Sequence, residues 1–256
     1  FNTNYHYIVP KLDVFEPEYF KLNPPARPAD ATTAPPRFLL GPFTFLKLSK
    51  GMEPSRLPDY LSAAAATYRN LLRDYPSCHI HEPAFVLDLT EEERAAISEA
   101  YHTIAESSSK VTIFTYYDSV DFLEELFALP VDGFGLDLVH GPDNLGQVLR
   151  IGVPDGKRLV AGLIDGRNVW RTDVAAAAET LRALAEVTSR LAVSNAGPLF
   201  HLPVTLEGEE LPPELMHFLA FAEEKLEDIR AVAGAFEERG PSLVGDAPGA
   251  RPGTSS

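Results

Sequence analysis

The stretch Cys78-His79-Ile80-His81-Glu82-Pro83 gathers the chain's single cysteine, two of its seven histidines and a carboxylate. Thiolate, imidazole and carboxylate are the ligands that hold zinc, so the stretch raises the question of a metal site. Its spacing argues against one. On an extended strand alternate residues share a face, which puts His79 and His81 on one side and Cys78, Ile80 and Glu82 on the other. The four groups cannot converge on one ion, and the run reads as a core thiol with partly buried histidines and no metal. His81 and Glu82 at the strand tip retain another chemistry, an acid and base pair working with Asp137. The competing reading has Glu82 bonded to neighbouring backbone amides or to an arginine.

A second polar group lies in the stretch IDGRNVW, residues 164–170. Arg167 there can clamp a substrate carboxylate, or pair with Asp137 or Asp165 and tie loops together. The ligand-binding candidates are therefore Glu82, Asp137, Arg167 and Asn168. The His201-Leu202-Pro203 cluster reads as a turn.

These residues sit at the ends of short apolar runs. Six runs, 38–43, 79–86, 111–117, 134–139, 159–164 and 191–194, stop at Gly, Pro, Asp or Asn and read as buried parallel strands. A weaker seventh covers 5–9. Helical periodicity fills the gaps. Residues 57–75 carry a stripe of Leu57, Leu61, Ala64, Ala65, Tyr68, Leu71 and Leu72. Thr90 and Glu93 form a capping box ahead of an acidic first turn, the run SVDFLEELFAL predicts a shorter helix, and Asp173 is placed to cap the next. Pro213 opens what reads as one long amphipathic helix to about Gly240, with Leu215, Phe218, Leu219, Ala222, Leu226, Ile229 and Phe236 aligned. Strands alternating with helices call for a parallel sheet with right-handed crossovers, and this many repeats point to an α/β barrel. In such a barrel the chemistry sits on loops leaving the C-terminal strand ends, where Glu82, Asp137, Arg167 and Asn168 fall. The proline-rich segment 22–37 is expected to be a loop or linker, and the Gly, Pro and Ser rich tail 240–256 to be disordered, leaving 1–239 as the domain.

The chain has 256 residues, 45% of them apolar, enough for a large core. Its 22 Lys and Arg face 37 Asp and Glu, a net charge of −15 with no basic block, which argues against a nucleic-acid or anionic-membrane partner. No apolar run approaches the roughly 20 residues that span a bilayer. A single cysteine allows no internal disulfide and fits a reducing compartment, so a cytoplasmic location is expected.

Six blocks in this order, FNTNYHYIVP, LLGPFTFLKLSK, HEPAFVLDL, LPVDGFGLDLVHGPDNL, AGLIDGRNVWRTD and FHLPVTLEGEELPPELMHFLAFAEEKLEDI, resemble the N-terminal barrel of the cobalamin-independent methionine synthase family. The resemblance covers about residues 1–230. It implies a TIM-type (β/α)8 barrel from a two-barrel enzyme that moves a methyl group from a methyltetrahydrofolate polyglutamate to homocysteine, with zinc on the C-terminal barrel and folate near the junction. The family's zinc ligands are a His-x-Cys pair, a glutamate and a further cysteine; the corresponding strand ends here read Thr115-Tyr116-Tyr117, Asp137 and Asn195-Ala196-Gly197. His81 stands where the family's catalytic copy has an aspartate that holds the homocysteine amine. The family's first strands would lie upstream of Phe1, so the expected fold is a barrel lacking its first one or two strands, needing those strands or the catalytic barrel to be stable.

The resemblance thus implies a non-catalytic, folate-side barrel, inactive alone and without a cofactor of its own, partnered by a catalytic barrel in cis or in trans. Two alternatives stand beside it. One is a stand-alone relic barrel acting as a binding or interaction protein. The other is an independent barrel enzyme using His81, Glu82 and Asp137 for proton transfer.

Overall fold

A computed structural model describes residues 10–13, 16, 17, 20–22, 37–238 and 243. The expected strand at 5–9, all but the ends of the proline-rich segment, and the tail apart from Leu243 lie outside the described residues. The chain forms two compact units, residues 1–111 and 112–256.

In the first unit, β1 (Arg37–Leu40) and β2 (Ser77–His81) run parallel, with Phe38 opposite His79 and Leu40 opposite His81. Both strands stop earlier than their apolar runs, and proline is the reason. Pro42, which has no N–H for a ladder, begins α1 (Pro42–Lys47), and Pro83 begins a 3-10 turn (Pro83–Val86). Helices α2 (Leu57–Leu72) and α3 (Glu91–Ala105) pack against each other. The buried stripe of α2 is Leu57, Tyr60, Leu61, Ala64, Ala65, Tyr68 and Leu72. Thr90 starts α3 with the expected reciprocal bonds: Glu93 N–H donates to Thr90 Oγ1 at 3.2 Å and Thr90 N–H to Glu93 Oε2 at 3.1 Å.

The second unit takes up β3 (Lys110–Phe114) from Thr112 onward. Here β3, β4 (Gly133–Asp137), β5 (Arg158–Ile164) and β6 (Leu191–Asn195) pair parallel in sequence order. Between them come α4 (Leu123–Ala128), α5 (Pro142–Ile151) and α6 (Val174–Ala185), the last capped by Asp173 Oδ1, which accepts from Ala176 N–H at 3.0 Å. The register slips between Gly162 and Ile164. Glycine is required at 162, because a Cβ there would lie 2.7 Å from the Leu136 carbonyl oxygen and 2.8 Å from Ala196 Cα. Strand followed by helix, with these strands paired parallel, is the pattern of a partial TIM-type barrel.

The single long helix expected from Pro213 is two helices, α7 (Pro213–Met216) and α8 (Ala222–Glu237). Between them the chain is drawn out against residues 169–171: Arg171 N–H donates to the Phe218 carbonyl at 2.8 Å and Ala220 N–H to the Val169 carbonyl at 2.8 Å. Leu206, Leu219 and Phe221 cluster beneath this bridge, and Glu224 accepts from Phe221 N–H to start α8. The buried face of α8 also differs from the apolar stripe. It carries Lys225, Asp228, Val232 and Phe236, while Leu226 is exposed. Lys225 Nζ donates to the Trp170 carbonyl, and Asp228 accepts from Thr172 N–H at 2.9 Å and from Arg171 at 3.1 Å. Partners for stranded backbone groups place Lys225 and Asp228 on this face, beside the apolar Val232 and Phe236. Among the described residues no helix is long and apolar enough to cross a membrane.

Candidate functional site

Each unit places a fully buried carboxylate at a C-terminal strand end. In the first unit it is Glu82, just beyond β2. Its Oε1 accepts from Phe43 N–H (3.1 Å) and the Tyr101 hydroxyl (2.9 Å); its Oε2 accepts from Thr44 N–H (2.7 Å) and the Thr44 hydroxyl (2.5 Å). Two of these donors are the first amides of α1, which no helical carbonyl can serve, so the carboxylate completes the start of that helix. Burial pushes Glu82 up to about 7, against the downward pull of the bonds from Thr44, Tyr101 and Phe43. The fit is tight enough that a Cβ on Gly41 would lie 1.9 Å from Glu82 Cδ.

The alternation read from the sequence holds along β2. His79 and His81 both pack against Phe38, the first edge to face and the second tilted, with ring centroids 5.0 and 5.7 Å away. Cys78 and Glu82 instead face the side of Tyr68 and Tyr101, whose hydroxyls they influence. Burial lowers His81 to about 4 and raises the Cys78 thiol to about 12, so at neutral pH the imidazole is uncharged and the thiol protonated. Among the described residues no three His, Cys, Asp or Glu side chains are placed to share a metal ion.

In the second unit the carboxylate is Asp137, the last residue of β4. Oδ1 accepts from Val139 N–H (2.9 Å) and His140 N–H (2.7 Å), and Oδ2 from Tyr117 N–H (2.9 Å). His140 Nδ1 lies 3.0 Å from the same Oδ2, and its Nε2 lies 3.4 Å from Asp165 Oδ1. The imidazole is therefore held between two carboxylates from adjacent strand ends. Asp165 in turn organises its own loop, accepting from Arg167 N–H at 2.7 Å and from Asn168 Nδ2 at 2.5 Å. Arg167 and Asn168 thus join Asp165 rather than Asp137: the Asn168 amide braces the loop, and the Arg167 guanidinium reaches the Tyr117 ring, 5.5 Å from its centroid. Burial raises the Tyr117 phenol, with Arg167 opposing and Asp137 adding to the rise.

The sequence points to Glu82, Asp137, Arg167 and Asn168 but not to the groups that complete their surroundings. Thr44 and Tyr101 serve Glu82 from 38 and 19 residues away. Buried Asn144 donates to the Asp137 carbonyl at 2.8 Å and accepts from Val120 N–H at 2.9 Å. His201, read as part of a turn, sets Nε2 3.0 Å from the Tyr117 hydroxyl. The one signal available for His201 was its distance of a few residues past Asn195, a strand end.

Parallel strands alternating with helices, with polar side chains on the C-terminal strand ends, define a chain of the α/β-barrel class. Residues 1–189 match the model of the cobalamin-independent synthase N-terminal domain, and the chain belongs to that family. It is 37% identical over 256 residues to the 5-methyltetrahydropteroyltriglutamate–homocysteine methyltransferase of Thermodesulfovibrio yellowstonii, an alignment covering 93% of this chain and 34% of that protein. To the Thermotoga petrophila methyltransferase of the same name it is 39% identical over 262 residues, covering 95% and 34%. The chain thus spans about a third of the length of these relatives. The solved B12-independent methionine synthase of Shewanella sp. W3-18-1, in complex with selenomethionine, shares the fold at a TM-score of 0.56 and 15% identity, over 78% of this chain and 61% of that one.

Proposed function

We propose that this chain is the non-catalytic, folate-side barrel of a methyltransferase that carries a methyl group from 5-methyltetrahydropteroyltriglutamate to homocysteine, in the cytoplasm. The observation that carries the reading is the extent of the family match: it falls on the N-terminal domain, over about a third of the relatives' length. The residues support the division of labour. A metal held by the protein can activate a thiol as a nucleophile for alkylation, and zinc prefers Cys and His donors. Cys78 points away from His79 and His81, its thiol stays protonated, and the strand ends at Tyr117, Asp137 and Asn195 offer one carboxylate that already accepts from four donors. These residues do not fit a zinc site, and the reading assigns the metal to a partner barrel, in cis or in trans.

Calorimetric titration with 5-methyltetrahydropteroyltriglutamate, with and without a catalytic barrel from a relative, tests this. Binding in either mixture, with no zinc by elemental analysis, is expected. Silence in both, stoichiometric zinc, or unaided methylation of homocysteine would overturn it.

A further inference from the structure

We propose that Phe200, His201 and Tyr117, with Arg167 beside them, form a subsite for a flat aryl ring bearing a carboxylate; this rests on the folate reading above, in which the ligand is the aminobenzoyl-glutamate portion. The rings form a continuous ladder. Tyr116 and Tyr117 lie 4.7 Å apart edge to face, Tyr117 and His201 6.0 Å, and His201 and Phe200 4.3 Å. The ladder runs from the core, where Tyr116 is buried, to solvent, where Phe200 is 77% exposed. Its middle is fixed rather than loose. The Tyr117 hydroxyl meets His201 Nε2, and its N–H is held by buried Asp137. The backbone at Tyr117 adopts φ +91°, a conformation uncommon for a bulky residue and persisting only where the surroundings enforce it.

The charge beside the ladder selects the ligand. Among the described residues Arg167 makes no ion pair: Asp165 takes its backbone N–H, and the exposed guanidinium rests on Tyr117. In a chain of net charge −15, an exposed cation over an aromatic platform is a local exception that favours an anion. Stacking on Phe200 and His201 requires a planar ring, and the fork of Arg167 suits a carboxylate. A neutral aryl amide satisfies only the ring, and an aliphatic dicarboxylate only the charge.

The test titrates the full chain with p-aminobenzoyl-L-glutamate, p-aminobenzamide and glutarate. Saturable binding of the first is expected, with Phe200→Ala weakening it about tenfold and Arg167→Gln weakening it similarly while leaving p-aminobenzamide unchanged. Both positions are exposed, and unchanged melting of each variant will show that folding is intact. The proposal falls if the aryl glutamate does not saturate the wild-type chain, or if either variant titrates like wild type. Should both variants bind 5-methyltetrahydropteroyltriglutamate at wild-type affinity, the subsite falls and the folate reading stands. Variant-sensitive binding of the aryl glutamate, with no binding of the triglutamate either with or without a catalytic barrel, supports the subsite and sinks the folate reading.

Discussion

Tyr101 donates its hydroxyl to Glu82 Oε1 at 2.9 Å, and neither residue has appreciable access to water. The bond joins the middle of α3 to the tip of β2, and it is one of four that keep a buried carboxylate in hydrogen-bonded company. Tyr101→Phe removes that donor and adds nothing. A loss of about 1.5–3 kcal/mol in denaturant unfolding is expected, the range for bonds to charged groups. A loss under about 0.5 kcal/mol would mean that the remaining three donors suffice.

The raised pKa of Glu82 makes a prediction about pH. Its folded value, about 7, exceeds the ordinary 4.5, so the folded state binds the proton more tightly than the unfolded chain. The resulting stabilisation is complete below pH 4.5 and is lost as pH rises through 7. The stability difference between wild type and Glu82→Gln should therefore fall by about 3 kcal/mol across that window. Parallel stability curves for the two proteins would show that the four donors keep the carboxylate ionised throughout.

Asp137 holds the turn after β3 and the loop after β4 through three backbone amides and one imidazole. In Asp137→Asn the new NH2 group faces donors instead of accepting from them. Destabilisation of about 2–3 kcal/mol is expected, with faster hydrogen exchange at the Tyr117, Val139 and His140 amides. Unchanged exchange at those amides would contradict this role.

Buried Lys225 predicts the opposite pH slope. Burial lowers its pKa, with Arg171 pushing the same way and Asp228 and Asp165 opposing. The unfolded chain then binds the proton more tightly, so this group adds stability as pH rises toward 10.5. Replacing Lys225 with Met should flatten the alkaline limb of the stability profile. A variant whose alkaline limb matches wild type would rule out this assignment.

These cases mark what was legible in the sequence. The strand–helix alternation was, because apolar runs ending in Gly, Pro or Asp report burial and termination locally. The apolar runs overshoot the strand ends at Pro42 and Pro83, where the run continues but the missing N–H ends the ladder. The apolar residues 215–226 read as one helix because periodicity cannot register the competing bridge from Val169 and Arg171. The candidate carboxylates were visible as polar residues closing apolar runs. Thr44, Tyr101 and Asn144 were not, since what selects them is a partner brought near only by folding.

Gly41 and Glu82 behave as a size lock between two loops. The backbone of one leaves room for the side chain of the other and nothing more. A methyl group at 41 should be tolerated only when residue 82 is shortened, so Gly41→Ala combined with Glu82→Ser ought to melt higher than Gly41→Ala alone. In any lineage of this fold the two sites would then drift together, one growing only as the other shrinks.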